Sequence, residues 1–248
     1  MRNRLCAFGG VLAVTAMVAM SPAAKADDYA YTVGTTDVEG LFLYRVDLTT
    51  LLPTEIGNVV YLMEGLALSS TTRKLYGTDA GGELYIIDTK TGHTKRVGST
   101  GRGDIEGLGF NGNTLIGVDL LNTPTVFAIN TSNAQTTTIV RAAARTGAVR
   151  AMAVVDHYHI LVVADGPPMD TLFGINLMTG AVVKIGTLAV DGLMPAINFV
   201  NGTLYGLDQN GNVWIIDSHT AAVTLVGNTG GQFWLDMTAI PTAAGSNY

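Results

Sequence analysis

One phrase recurs along this chain and restricts its fold more than any other property. Leu75-Tyr-Gly-Thr-Asp79, Leu84-Tyr-Ile-Ile-Asp88, a Thr91-Gly92 turn and Val97-Gly98 form one copy. Leu204-Tyr-Gly-Leu-Asp208, Val213-Trp-Ile-Ile-Asp217 and Val226-Gly227 form another. Weaker copies are Leu115-Ile-Gly-Val-Asp119 with Val126-Phe-Ala-Ile-Asn130, and Leu161-Val-Val-Ala-Asp165 with Leu172-Phe-Gly-Ile-Asn176. The first copy is Tyr31-Thr-Val-Gly34 with Leu43-Tyr-Arg-Val-Asp47. The same strand end therefore falls at Asp47, Asp88, Asn130, Asn176 and Asp217, at intervals of 41, 42, 46 and 41 residues. Short alternating strands at a fixed period near 40 to 45 residues, without helical spacing between them, are the pattern of propeller blades.

A fourth strand precedes each of the later copies: Met63-Glu-Gly-Leu-Ala-Leu68, Ile105-Glu-Gly-Leu-Gly-Phe110, Val149-Arg-Ala-Met-Ala-Val154 and Met194-Pro-Ala-Ile-Asn-Phe199. Its fifth occurrence, Leu235-Asp-Met-Thr-Ala-Ile240, follows the last complete copy, while the first copy lacks one. A displaced strand of this kind is what a ring needs in order to close. The expected fold is all-β, a five-bladed β-propeller of four-stranded blades with the C-terminal strand completing the first blade. The propeller would span residues 27–241, with 242–248 a flexible tail. The phrase resembles the LYG…LYxID…TG…VG repeat of secreted bacterial β-propeller proteins, mostly of unassigned function, and the resemblance covers most of residues 29–240.

Residues 1–26 read as an export signal. Arg2 and Arg4 precede an apolar run from Leu5 to Met20, Ser21-Pro22 breaks a helix, and Ala24-Lys25-Ala26 suits cleavage before Asp27. The apolar run is short for a membrane span. Cleavage removes Arg2, Arg4 and Lys25 but no acid, so the formal charge moves from −6 to −9. It also removes Cys6, the single cysteine. The expected location is secreted or periplasmic, in a bacterium, with stability from packing alone. An acidic surface argues against nucleic acid as a partner, and no membrane span is expected after cleavage. A monomer is expected.

The repeated Asp or Asn opening each lower turn has a structural use, since its side chain bonds backbone amides two residues on. Two other sets meet at one end of a propeller. The start of the innermost strand carries Glu64, Glu106, Arg150, Pro195 and Asp236, and the end of the second strand carries Asp79, Asp119, Asp165 and Asp208. Carboxylates about 6 Å apart repel by roughly 3 kcal/mol at an effective dielectric near 20. Raised pKa values, pairing with Arg150 or a bound cation would relieve this, and oxygen ligands suit Ca²⁺. The four aspartates also fit as caps of their own turns. Glu64, Glu106 and Asp236, with Asp79, Asp119, Asp165 and Asp208, are thus candidate metal ligands.

Tyr61, Phe233 and Trp234 precede the innermost strand, and an aromatic face beside carboxylates and Arg150 is the composition of a glycan-binding surface. Sealing the last blade against the first is the competing use of the same rings. No Gly-x-Ser-x-Gly, His-Glu-x-x-His or phosphate-cradling loop is present. The expected function is a non-catalytic binding module for a glycan or protein ligand at the top mouth of the channel. The alternative is a metal-assisted hydrolase, lactonase- or glycosidase-like, in which Glu64, Glu106 and Asp236 would be catalytic; a purely structural envelope or matrix component is a third possibility. The Glu64-Gly65 and Glu106-Gly107 pairs resemble the inner-strand Glu-Gly of the gluconolactonase and regucalcin family, metal-assisted hydrolases on a six-bladed ring. The blade number differs, and that family's ligand asparagines are not evident.

Overall fold

The computed structural model describes residues 28–35, 40–165, 169–230 and 233–240. The expected signal segment 1–26 and tail 242–248 lie outside them. The described residues form twenty strands. Blade 1 holds β1 (Tyr29–Thr35), β2 (Phe42–Asp47) and β3 (Pro53–Asn58). Blade 2 holds β4 (Met63–Leu68), β5 (Leu75–Asp79), β6 (Glu83–Ile87) and β7 (Thr94–Ser99). Blade 3 holds β8 (Ile105–Asn111), β9 (Thr114–Asp119), β10 (Thr125–Ile129) and β11 (Thr136–Arg141). Blade 4 holds β12 (Val149–Asp156), β13 (His159–Ala164), β14 (Thr171–Asn176) and β15 (Val182–Thr187). Blade 5 holds β16 (Ala196–Val200), β17 (Thr203–Leu207), β18 (Asn212–Ile216) and β19 (Val223–Asn228), and β20 (Phe233–Ile240) remains. Among these residues no helix is long and apolar enough to cross a membrane.

Each blade is an antiparallel four-stranded sheet, and blade 1 has the order β20-β1-β2-β3. The late strand closes the ring as the displaced copy implied. The inner strands β4, β8, β12, β16 and β20 touch in sequence around the axis, and β20 meets β4 to complete the circle. Three strands of each blade are covered on both faces by neighbouring blades, so β5 is buried along four of its five residues. The outermost strands, such as β7, present mostly half-buried and exposed positions.

The cohesion lies between blades. Five apolar clusters of the described residues each join two neighbours. Val33, Leu43 and Val59 of blade 1 pack with Met63, Leu66, Leu75 and Tyr85 of blade 2. Trp234, Met237 and Tyr44 of blade 1 pack with Tyr205, Leu207 and Val213 of blade 5. Near the axis the inner strands approach too closely for side chains: a Cβ on Gly107 would lie 2.5 Å from Met152 Cβ. The repeated turn residues act as caps. Asp47, Asp88, Asn130, Asn176 and Asp217 each accept backbone N–H bonds from residues two or three further on.

Candidate functional site: the acidic mouth of the ring

Every inner strand of blades 2, 3 and 4 opens with a β-bulge. Met63 pairs with Asp79 and Gly65 with Thr78, leaving Glu64 unpaired. Glu106 is left over between Ile105 and Gly107 in the same way, and Arg150 between Val149 and Ala151. A bulge inserts one residue and re-aims its side chain. Glu64, Glu106 and Arg150 are thus presented at one end of the ring, where the second strands also finish.

Glu64, Asp104 and Glu106 each place a carboxylate oxygen within 4.8 Å of the others. All three are half-buried. Glu64 Oε2 and Asp104 Oδ1 are enclosed without a hydrogen-bond partner. Burial, followed by the adjacent Asp104 carboxyl and the charges of Glu106 and Asp79, pushes the Glu64 pKa up to about 8. Burial raises Glu106 to about 7, with the Asp104 charge adding to the rise and Arg150 opposing it. Like charges in a partly dry site favour the protonated form until a cation replaces the protons. Oxygens facing each other across a Ca²⁺ ion stand about 5 Å apart, since each Ca–O bond is 2.3–2.6 Å. The spacing therefore fits a hard divalent ion.

Asp104 was not anticipated from sequence. It stands in the loop before β8, outside the repeated phrase, so periodicity did not single it out. Its two-residue spacing from Glu106 was the available signal. Asp170 was missed too: it is buried, accepts the Met194 N–H at 2.9 Å, and burial raises its pKa.

Asp236 stands one residue out of the expected register. Gly34 pairs with Trp234 and Val33 with Asp236, so Leu235 is the bulged residue of blade 1. A slip of one residue turns a side chain to the opposite face of its strand. Asp236 takes the place that Gly65, Gly107, Ala151 and Ala196 hold elsewhere, and it is buried between β20 and β4. Its Oδ2 accepts the Leu66 N–H at 2.5 Å and its Oδ1 accepts the Met237 N–H at 2.7 Å. Burial raises its pKa well above the carboxylate range, opposed by these two donors. With both oxygens engaged by backbone, Asp236 is not the third carboxylate of the mouth; Asp104 is.

The second-strand aspartates divide by role. Asp79 Oδ1 accepts N–H bonds from Gly81 and Glu83, and Oδ2 accepts the Tyr85 hydroxyl. Asp119 accepts from Thr125 N–H. Asp208 accepts the N–H groups of Asn210 and Asn212, the Asn212 amide and the Trp214 indole. These three cap their own turns, the competing use that the sequence offered for them, and stand outside the Glu64, Asp104 and Glu106 group. Asp165 instead pairs with Arg150.

The aromatic expectation also divides. Tyr61 is 43% exposed and stacks on Tyr85 with centroids 4.7 Å apart. Trp234 is fully buried, packs edge-on against Tyr44 at 5.2 Å, and donates its indole N–H to Thr229 Oγ1 at 3.0 Å. It seals blade 5 against blade 1 and offers no face to a ligand. The Phe233 side chain lies outside the described residues.

No known family's sequence pattern matches the chain, and no curated protein matches it. Among solved structures, it is similar to the crystal structure of a nidogen/laminin complex at 15% identity and a TM-score of 0.56, covering 86% of this chain and 81% of that one. It is similar also to the WD40 β-propeller domain of Doa1, at 12% identity and a TM-score of 0.51, covering 85% of this chain and 82% of that one. Identities this low speak to architecture, and with the sheet topology above they show that the chain is a five-bladed β-propeller.

Proposed function

We propose that the chain is an exported, monomeric binding module whose ring mouth holds a divalent cation, Ca²⁺, and engages a glycan or protein ligand there. The observation that carries this reading is the grouping of Glu64, Asp104 and Glu106 within 4.8 Å, with enclosed oxygens that lack partners. Arg150, paired to Asp165, borders the group and supplies a donor for a ligand's oxygens. Tyr61 contributes an exposed ring on the blade 2 side. Rigid propellers suit such work, because the mouth is assembled from strand ends of several blades and needs no closing movement. Export follows from the leader in residues 1–26, and mass spectrometry of the secreted protein should find Asp27 at its N-terminus.

Calorimetric titration with Ca²⁺ tests the cation. Saturable heat and a melting temperature that climbs with Ca²⁺ are expected, because a ligand bound only to the folded state stabilises it. Both effects should vanish in the Glu64→Gln, Glu106→Gln double variant. No heat and no thermal shift in the parent protein would overturn the cation reading.

A further inference from the structure

The opposite end of the ring carries a second feature. A groove of about 500 Å³ lies between the lower hairpins of blades 3 and 4, lined by Asn111, Gly112, Asn113, Thr114, Ile139 and His157, among others. Its polar groups are held in place by the protein. Asn111 donates its amide N–H to the His157 carbonyl at 3.1 Å, which a carbonyl can only accept. The amide oxygen must then face His157 Nδ1, 2.7 Å away, so Nδ1 carries the proton. In the neutral ring Nε2 is consequently an acceptor, and no protein group among the described residues bonds it. Asn113 Oδ1 accepts the Thr71 hydroxyl at 2.8 Å in this amide orientation, in which Nδ2 is a donor. The Thr114 hydroxyl can serve as donor or acceptor. Gly112, at φ +60°, keeps the floor open under the imidazole: a Cβ there would lie 3.4 Å from His157 Cε1.

The lining contains no Asp, Glu, Lys or Arg. An ionic ligand would find no countercharge among these residues. What the groove offers is an alternation of neutral donors and acceptors beside the exposed side chain of Ile139. That combination matches a molecule with hydroxyls around its edge and an apolar C–H face. We propose that the groove between blades 3 and 4 is a second ligand site, selective for a neutral pyranose sugar and independent of the acidic mouth.

Nuclear magnetic resonance on the labelled full chain tests this with glucose, maltose and cellobiose as probes. Saturable shifts of the Gly112, Asn113 and His157 amides are expected with at least one of them, and a weaker response to glucuronate. His157→Ala and Asn113→Ala should each weaken binding about tenfold or more, the loss of one hydrogen-bonding group. His157→Gln should recover part of it. Should His157→Ala fail to fold, Thr114→Val on the strand surface serves in its place. The Glu64→Gln, Glu106→Gln variant should leave these shifts unchanged, which separates this site from the mouth. Absence of saturable shifts with all three sugars, or shifts that survive both alanine variants, would overturn the proposal.

Discussion

Asp236 Oδ2 accepts the Leu66 N–H across the seam where the last strand meets the second blade, while Thr32 on the paired strand donates its hydroxyl to the Asp236 carbonyl at 2.7 Å. One side chain thus ties β20 to β4 where the other four blades have Gly or Ala.

Asp236→Ala should destabilise the protein by about 2–4 kcal/mol, because two buried N–H groups lose their acceptor and a small cavity opens. Denaturant titration measures it. Asp236→Asn keeps the shape and one acceptor, and its loss should be smaller. The raised folded pKa sets the sign of the pH effect. Stability from this group is full below the unfolded value of 3.8 and is lost as pH rises through the folded pKa. Asp236→Asn should therefore flatten part of the decline in stability with rising pH.

The mouth titrates in the same direction. Glu64 at about 8 and Glu106 at about 7 both lie above the unfolded value of 4.5, so their protonated forms stabilise the fold. Without divalent ions, stability should fall as pH rises from 4.5 to about 8. The fall should be about 1–2 kcal/mol in total once screening by water is allowed for. Ca²⁺ should remove the decline, and its affinity should increase across the same interval because it displaces protons. Thermal melts at several pH values, with and without Ca²⁺, measure both.

Arg150→Ala should cost less than about 1 kcal/mol, as its pair with Asp165 is partly exposed. Its larger effect is on Glu106, whose pKa the guanidinium holds down; the variant should titrate Glu106 at higher pH. Carbon-detected magnetic resonance of the Glu side chains follows the shift.

Gly107→Ala tests the crowding at the axis. The new methyl would lie 2.5 Å from Met152 Cβ, and overpacking of this kind costs about 1–3 kcal/mol. Gly103→Ala is the matched control, since a methyl there meets nothing within 4 Å, and it should leave the melting temperature unchanged or slightly higher. Chemical denaturation of the two variants side by side gives the contrast.

The blades and the closing strand were legible because each copy repeats the same alternation and a turn opened by the same Asp or Asn, so local pattern and ring geometry agree. Glu64 and Glu106 were found by the same repetition. Asp104 escaped because the loop before β8 obeys no period. Asp236 was misregistered because a bulge adds a residue that sequence spacing cannot distinguish from ordinary pairing. Leu235 aligned with Met63 in the text, yet in space it takes the place of Glu64. The glycine or alanine of the other blades gave the available hint, since an acid at that small-residue position must be buried. Trp234 was readable only as an aromatic near a strand start. Its burial follows from how blade 5 leans on blade 1, and no short segment records that.

The bond between Thr32 and Asp236 joins positions 204 residues apart. Until β20 has been synthesised, blade 1 stands as three strands with a bare inner edge, and the gap beside blade 2 stays open. The circle can be sealed only after the rest of the polypeptide is available, however early the single blades begin to collapse. Such long-range pairing slows folding and lengthens the time during which an unpaired edge is exposed to other chains. A lesion in β20 should accordingly act first on the yield of correctly folded protein and only second on anything the finished ring binds.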